Sequence, residues 1–512
     1  MSRPARPGAL GLATDETSSG PREDIGVSAP TESPSFLATR RGKLTLALLC
    51  LVAFLDFVDG SIVNVALPTI QHELGLSIPT LQWITSGYLL TYGGLMLLGG
   101  RLADLLGRRR VLIAGTILVG VASAIGGLAG SSGLLIGARF AQGVGAALML
   151  PAALSILTTS FRVGSDRTTA LSVWGGTAGL ASAAGVFLGG VLTEGPGWRW
   201  VFYVNTPVCL LVPAVVPFLV PNDRRNEIRG GFDVFGTALA TGGLMLLVYG
   251  LVKAPEYGWS DVRTILQLGV AVALLIGFVF NERVTSDPLV PLSIFRVKGL
   301  AAANLTHLTL AAGMLAMFFF VTLYLQEVLG FGEFQAGNAY LPISLTIGAA
   351  AGVTAKIIGK TGTRPLIVVG SVVSGLGLIW LSRISTDGSY LVDVLPPMVF
   401  MSIGLGVVFV ANTTAANAGV PAEQAGLAAA LLNTGQQIGG ALSLAVLTAV
   451  ATSHTAAQLT AGHPPLDAMT SGFRLALLIG GFITLSAAVI GLRTVNSRGE
   501  TAAAPAAEPV AA

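Results

Sequence analysis

Apolar runs of about 20 residues recur along the chain from Lys43 onward, and they limit its fold more than any other feature of the sequence. A helix of that length crosses the roughly 30 Å hydrocarbon layer of a bilayer. Only 11% of the residues are charged, 53% are hydrophobic and the mean hydropathy is +0.75, values far from those of soluble proteins. The sequence therefore predicts an all-α polytopic membrane protein.

We count fourteen such runs. The predicted spans are residues 45–67, 81–101, 110–130, 133–158, 168–193, 199–220, 233–252, 263–281, 300–325, 335–357, 364–383, 392–416, 424–452 and 472–493. With both termini in the cytoplasm, the segments on that side carry about 20 Lys and Arg residues and the outer segments about 5, as the positive-inside rule requires. We therefore expect a multi-pass protein of the cell (inner or plasma) membrane with both termini inside.

The spans suggest a chain of five parts. Residues 1–42 are polar and lack the apolar core of a signal peptide, so they are predicted to form a disordered cytoplasmic tail, as are residues 494–512. Between the tails we expect a bundle of six helices in 43–221, two inserted helices with linkers in 222–298, and a second bundle of six helices in 299–493.

A charged hinge, residues 100–110, joins the second and third spans with the sequence GRLADLLGRRR. It holds one acid, Asp104, and four arginines, Arg101, Arg108, Arg109 and Arg110. Such a cluster cannot lie in hydrocarbon, so it must form a tight turn at the membrane surface, and its excess of arginine indicates the cytoplasmic side.

The hinge has a weaker copy in the other half of the chain, where Gly107 aligns with Gly362 and Arg109 with Arg364. The acid is not repeated, because Gly359 stands in place of Asp104. A repeat of this kind predicts two pseudo-symmetric six-helix bundles, which is the architecture of a secondary transporter.

Two acids, Asp56 and Asp59, lie three residues apart in the first span and therefore on neighbouring parts of one helix face. A carboxylate at membrane depth costs several kcal/mol, so such residues usually face a polar interior and serve a transport pathway. A buried carboxyl group can be held neutral, so one of the two could bind and release a proton. The alternative is an acid permanently paired to a neighbour that holds the bundle together.

Other polar residues lie inside the predicted spans. Arg139, in the fourth span, cannot lose its proton, so its role would be to set the protonation of a nearby acid; the alternative is contact between helices. We consider Asn64, Gln142, Asn304 and His307 as residues that could line a cavity, although a single buried histidine more often serves packing. The acids Glu327 and Glu333, at the outer ends of their spans, are expected to be solvated.

The hinge and five other stretches resemble signatures of the major facilitator superfamily, in particular its fourteen-span drug:proton antiporter branch. They are the hinge, DGSIVNVALP (59–68), RFAQGVGAA (139–147), WRWVFYVNTP (198–207) and the weaker pair DPLVPLSIF (287–295) and LLNTGQQIGGA (431–441). The resemblance implies that Asp59 and Arg139 take part in proton coupling. It also implies that the hinge latches the two bundles together in the outward-facing state through Gly100, Arg101, Asp104, Gly107, Arg108 and Arg109; a basic anchor at the membrane surface is the alternative.

The fifth span resembles the antiporter motif G-x-x-x-G-P-x-x-G-G of the same branch, and it reads ASAAGVFLGG here. Gly185, Gly189 and Gly190 match the motif, whereas Ala181 replaces its first glycine and Val186 replaces its proline. The bend that proline enforces is therefore not dictated by this sequence.

The sequence as a whole predicts a proton-coupled multidrug or antibiotic efflux antiporter that works by alternating access on a small amphipathic molecule. The alternatives are a proton-coupled importer of a metabolite, which Val186 leaves open, and a membrane ligand sensor without transport. No hydrolase, metal or nucleotide signature is present, so we expect no enzyme and no cofactor, with energy drawn from the proton gradient. Basic residues are scattered, which argues against nucleic acid, and we expect a monomer in the lipid bilayer.

Overall fold

The computed structural model describes residues 36–161, 165–221, 233–286, 288–418, 420 and 425–498. Within these ranges it contains helices and no β-strand. In chain order the long helices are α1 (Arg40–Leu74), α2 (Ile78–Leu106), α3 (Arg108–Gly127), α4 (Ser132–Ser160), α5 (Ser165–Glu194), α6 (Trp200–Leu219), α7 (Val234–Tyr257), α8 (Val262–Val284), α9 (Leu300–Val328), α10 (Glu333–Thr361), α11 (Thr363–Leu381), α12 (Tyr390–Asn417), α13 (Ala425–Thr460) and α14 (Pro465–Gly491).

The helices match the predicted spans. In the described parts of the chain, thirteen of them are long and apolar enough to cross a membrane, and α5 contributes the shorter apolar segment Ala184–Glu194. The prediction of an all-α polytopic membrane protein is thus confirmed.

Several helices run beyond the apolar runs from which they were predicted, and α1 shows why. It begins at Arg40 because the Thr39 hydroxyl accepts a hydrogen bond from the Gly42 amide at 3.0 Å. It ends at Gly75, which adopts the left-handed conformation with φ 62°. Hydropathy marks only the part of a helix inside the hydrocarbon, whereas the caps set its full length.

The helices pack as two groups with a hairpin beside them. In the first group α2 and α3 pack on α4, α1 packs on α5, and α3 packs on α6. In the second, α11 packs on α12 and α14, α10 packs on α12, and α9 packs on α13 and α14. The hairpin of α7 and α8 contacts both groups through α7, which lies against α2 and α13. Residues Leu266, Ile276 and Phe280 of α8 are exposed apolar side chains, as expected of a lipid-facing helix.

Both hinges make the same one-residue turn. Gly107 lies between α2 and α3 with φ 97°, and Gly362 lies between α10 and α11 with φ 81°. Residues other than glycine rarely adopt these angles, so the glycines shared by the two halves have a backbone reason. We call the end of the molecule that carries these turns the hinge end, and the opposite end the far end.

The end of the described chain packs on the second hinge. The Arg364 side chain donates to the Thr494 carbonyl at 3.0 Å, and its backbone N–H donates to Asn496 Oδ1 at 3.1 Å. The Thr363 N–H donates to the Ser497 carbonyl at 2.9 Å. The expectation of disordered tails is therefore wrong for 494–498 and also for 36–42, which contain the short helix Phe36–Ala38 and the start of α1. Residues 1–35 and 499–512 lie outside the described residues.

Candidate functional site

A buried ion pair in the first group of helices forms the centre of the candidate site. Arg139 Nη1 of α4 lies 2.8 Å from Asp59 Oδ2 of α1, and the two residues are 1% and 2% exposed. The Arg139 Nε–H donates to the Ile84 carbonyl of α2 at 2.9 Å, and Nη1 also donates to Gln142 Oε1 at 2.9 Å. Arg139 and one of the two acids of the first span, which the sequence indicated as functional residues, are therefore in direct contact.

The second oxygen of the Asp59 carboxylate is also occupied. Its Oδ1 accepts hydrogen bonds from Asn205 Nδ2 at 2.6 Å and Gln142 Nε2 at 3.1 Å. The Gln142 amide donates in addition to Ser123 Oγ at 2.7 Å. A buried carboxylate with a guanidinium and two amide donors is well stabilised in its charged form. Gln142, considered a cavity residue from the sequence, belongs to this network.

Asp56, one helical turn before Asp59, has a different environment. It is 5% exposed and accepts hydrogen bonds from the phenol hydroxyls of Tyr92 at 2.8 Å and Tyr88 at 3.3 Å. In the described part of the chain no salt bridge to Asp56 is recorded. A buried carboxyl group without a cationic partner is costly to ionise, so the two acids are chemically distinct.

Tyr88 connects the surroundings of the two acids. Its hydroxyl points to Asp56, and the guanidinium carbon of Arg139 lies 4.2 Å from the centre of its ring. A cation over an aromatic face is attracted to the ring. A movement of Arg139 would therefore act on the Tyr88 ring, whose hydroxyl donates to Asp56.

A cavity of about 580 Å³ lies between the two groups of helices at the hinge end. Its first-group walls include Met96 of α2 and Leu154 of α4, and Asn433 of α13 lines it from the second group. The charged residues Arg101, Asp104 and Asp233 stand around it. Along α2, Tyr92 lies one turn further from the hinge end than the cavity residue Met96, on the same helix face.

The far end is closed by hydrogen bonds between the two groups. Thr69 of α1 donates to Glu333 Oε1 at 2.7 Å, and His72 Nε2 lies 2.8 Å from Glu327 Oε1. Gln326, which shares a π-helical turn at the end of α9 with Glu327, donates to the Val65 carbonyl at 2.9 Å. The expectation that both glutamates are merely solvated is wrong, because each contacts a partner in the other group.

The hinge residues make three kinds of contact in this conformation, and the latch between the bundles stays a prediction. Asp104 and Arg108 form an ion pair at 3.5 Å, and the Asp104 side chain is 44% exposed. Gly100, Arg101 and Asp104 line the cavity. Arg109 turns away from it and donates to the Val220 carbonyl, after the end of α6, at 3.3 Å.

The three motif glycines of α5 lie where that helix touches others most closely. A methyl group on Gly189 would lie 2.6 Å from the Ile62 carbonyl oxygen, and one on Gly185 would collide with Ser61, both in α1. A methyl group on Gly190 would lie 2.9 Å from the Glu333 carbonyl oxygen, across the far end. Val186, in the proline position, is buried within a continuous helix.

We expect Gly189→Ala to destabilise the protein by about 1–3 kcal/mol, because the added methyl group meets a backbone carbonyl that cannot rotate away. Thermal unfolding of the purified protein in detergent measures the change. Gly137→Ala in α4 is the matched control, since no atom lies within 4 Å of the methyl position there. Equal melting temperatures for the two variants would contradict this account of the motif.

The remaining predicted residues lie elsewhere. Asn64 is 6% exposed and donates to the Gly60 carbonyl of its own helix at 3.3 Å. Asn304 donates to the Leu300 carbonyl at 3.0 Å, and His307 contacts Gln436 of α13. Whether these side chains touch a substrate stays a prediction.

Sequence reasoning missed three partners of the two acids, namely Tyr88, Tyr92 and Asn205. The tyrosines stand four residues apart in an apolar span, which is a visible signal of a polar stripe on one helix face. Asn205 lies in the stretch WRWVFYVNTP that carried part of the resemblance, but nothing local indicates that it reaches Asp59.

Comparison with known proteins gives a consistent result. Residues 49–444 match the model of the Major Facilitator Superfamily. The puromycin resistance protein pur8 of Streptomyces alboniger is 36% identical over 464 residues, which cover 89% of this chain and 92% of that protein. The cephamycin export protein CmcT of Amycolatopsis lactamdurans is 38% identical over 422 residues, covering 81% of this chain and 86% of that protein.

Two further similarities extend the picture. The tetracenomycin C resistance and export protein of Streptomyces glaucescens is 34% identical over 414 residues, covering 81% of this chain and 75% of that protein. Among solved structures, a bacterial homologue of the human lysosomal transporter Spinster, in an inward-facing and occupied conformation, matches with a TM-score of 0.63 at 16% identity, covering 89% of this chain and 97% of that one. At 16% identity the structural match supports the fold alone.

Proposed function

This chain belongs to the major facilitator superfamily, and from that membership we propose that it exports small antibiotic-like molecules in exchange for protons. Three relatives at 34 to 38% identity bear the names of antibiotic resistance or export proteins, which supports export over import. The superfamily is a family of transporters and not of enzymes. We further propose that one polypeptide suffices for transport and that it needs no cofactor.

The observation that carries the proposal is the cavity between the two groups of helices, together with the closed far end. The cavity lies at the end that holds the arginine-rich hinge, which the positive-inside rule assigns to the cytoplasm. Under that assignment this conformation receives substrate from inside the cell. The walls of the cavity are mostly apolar, with a few charged side chains at its opening. Such a lining suits an amphipathic molecule.

For proton coupling we propose that Asp56 carries the proton in this conformation and that Asp59 holds Arg139. Among the described residues Asp56 has two hydroxyl partners and no cation, so it can exist as the neutral acid. Asp59 instead accepts hydrogen bonds from Arg139, Gln142 and Asn205. When the far end opens, α1 must separate from α9 and α10, because it contacts both there. Movement of α1 changes the surroundings of both acids at once and thereby links proton exchange to the bundle motion.

The direct test uses everted membrane vesicles, in which the cytoplasmic face is outside. With an acidic interior, vesicles containing the protein should accumulate radiolabelled puromycin, and an uncoupler should release it. Uptake driven by an alkaline interior would instead support the importer, and saturable binding without accumulation would support the sensor. Vesicles from cells that lack the protein are the control.

We expect Asp104→Asn to reduce this uptake strongly while leaving the amount and melting temperature of the protein nearly unchanged. Asp104 is half exposed and its ion pair with Arg108 is at the surface, so it contributes about 1 kcal/mol or less to stability. Its proposed role is a contact made when the hinge end closes. The matched control is Gly359→Asn at the equivalent position of the second hinge, which is open and lacks the acid. Normal uptake by Asp104→Asn would show that the latch contact of Asp104 has no part in transport.

A further inference from the structure

The second group of helices contains a cluster of neutral polar side chains that the proton mechanism does not use. We call it the amide cluster and define it as Asn304, His307, Asn412, Asn433 and Gln436. They lie on α9, α12 and α13 of the second group of helices, whereas the ion pair of Asp59 and Arg139 lies in the first group.

His307 is the central residue of this cluster. It is 6% exposed, and its Nδ1 lies 3.2 Å from Asn412 Nδ2, which also donates to the Ala303 carbonyl at 2.9 Å. Because Asn412 donates to Nδ1, the hydrogen of the neutral ring is on Nε2, which donates to Gln436 Oε1 at 3.1 Å. The histidine therefore fixes the orientation of Gln436 and leaves the amide nitrogen of that side chain pointing away from the ring.

Several hydrogen-bonding atoms of the cluster lack protein partners. Asn412 Oδ1 is fully buried and has none among the described residues. Within the same part of the chain, no hydrogen bond is recorded for Gln436 Nε2 or for the side chain of Asn433. Of these atoms Asn412 Oδ1 is the fully buried one, and a buried polar atom without a partner costs about 1–3 kcal/mol. Asn433 and Gln436 are only partly buried, so their side chains are open to a ligand or to water.

The cluster continues from the wall of the cavity. Asn433 lines the cavity directly, and Gln436 lies three residues further along α13, one turn deeper on the same face. Asn304 lies beside α13 at this level, since a methyl group on Gly435 would be 3.8 Å from Asn304 Oδ1. The facing wall on α2 and α4 is apolar there and includes Met96 and Leu154.

We propose that the amide cluster is a specificity-determining site, which binds an uncharged hydrogen-bonding group of the substrate, such as a hydroxyl or carboxamide. None of its members carries a fixed charge, so a cationic group placed there would lose water without gaining a counter-charge. The apolar part of the same substrate would lie against the facing wall of the cavity. His307 acts as a positioning residue for Gln436. This inference rests on the proposed export function.

The test compares two probes in everted vesicles. Puromycin carries hydroxyl and amide groups, whereas tetraphenylphosphonium carries a charge and no hydrogen-bonding group. Gln436→Met and Asn433→Leu keep side-chain size and remove hydrogen bonding, so each should raise the KM for puromycin about tenfold, which corresponds to one lost hydrogen bond. The KM for tetraphenylphosphonium should change less than about twofold, and kcat should stay the same for both probes.

His307 supplies the second arm of the test. His307→Leu should raise the puromycin KM as Gln436→Met does. His307→Gln still offers a donor to Gln436, so its puromycin KM should lie close to the wild-type value. Asn417→Leu is the matched control, because Asn417 is exposed at the end of α12 and its side chain donates to the Thr413 carbonyl of the same helix. Equal loss for both probes, or no loss for either, would overturn the proposal.

Isothermal titration of the purified protein with the same probes separates this inference from the export proposal. If wild-type vesicles accumulate neither probe, the export proposal fails. A selective loss of puromycin affinity in the variants would still support the amide cluster as a binding site. If wild-type protein does not bind puromycin, or if the variants bind it as wild type does, the amide cluster is not the site.

Discussion

Asp59→Asn should abolish gradient-driven uptake in everted vesicles and lower the stability of the protein by about 3–5 kcal/mol. The substitution removes the negative charge from a pair whose members are 2% and 1% exposed, and it leaves the Arg139 guanidinium buried without a counter-ion. Asn205 and Gln142 lose a charged acceptor at the same time. Thermal unfolding in detergent reports the stability, and puromycin uptake reports the exchange.

Two further variants show whether the effect comes from charge. Arg139→Gln combined with Asp59→Asn removes both charges and should recover much of the stability without recovering uptake. Gly137→Ala, in the helix that carries Arg139, adds a methyl group that has no atom within 4 Å and should resemble wild type in both measurements. Uptake by Asp59→Asn at the wild-type rate would show that the ion pair is structural and has no part in coupling.

Asp56→Asn should remove substrate-induced proton release while the protein still folds and binds puromycin within a few-fold of wild type. The asparagine keeps the shape of the side chain and can still accept a hydrogen bond from Tyr92, but it has no proton to release. A pH indicator in weakly buffered detergent solution measures the protons released when puromycin is added. Wild-type protein should release protons under the same conditions.

The comparison with Asp59→Asn decides which acid is the carrier. If Asp56→Asn still releases protons and Asp59→Asn does not, the proton is carried by the acid of the ion pair, and Arg139 must leave it during the cycle. If both variants release protons as wild type does, neither acid of α1 is the carrier.

Much of the fold follows from local features of the sequence. Hydropathy over about 20 residues marks the membrane spans, because a helix must be that long to cross the bilayer. The hinge is predicted because its charged residues cannot enter hydrocarbon. Its Gly107 suits the positive φ that this turn requires. Asp56, Asp59 and Arg139 were found because ionisable groups are rare and costly at membrane depth.

The pairing of those groups was decided by tertiary structure. Asp59 contacts Arg139, 80 positions away in sequence, and Asn205, 146 positions away. In the described part of the chain, the partners of Asp56 are the tyrosine hydroxyls of α2. Glu333 reaches Thr69 across 264 positions, although the sequence places it at a solvated helix end. Periodicity and hydropathy indicate where each helix lies in the bilayer and which face it presents. Which polar atoms come into contact depends on how the helices cross. The crossing geometry is set by the packing of all the helices together.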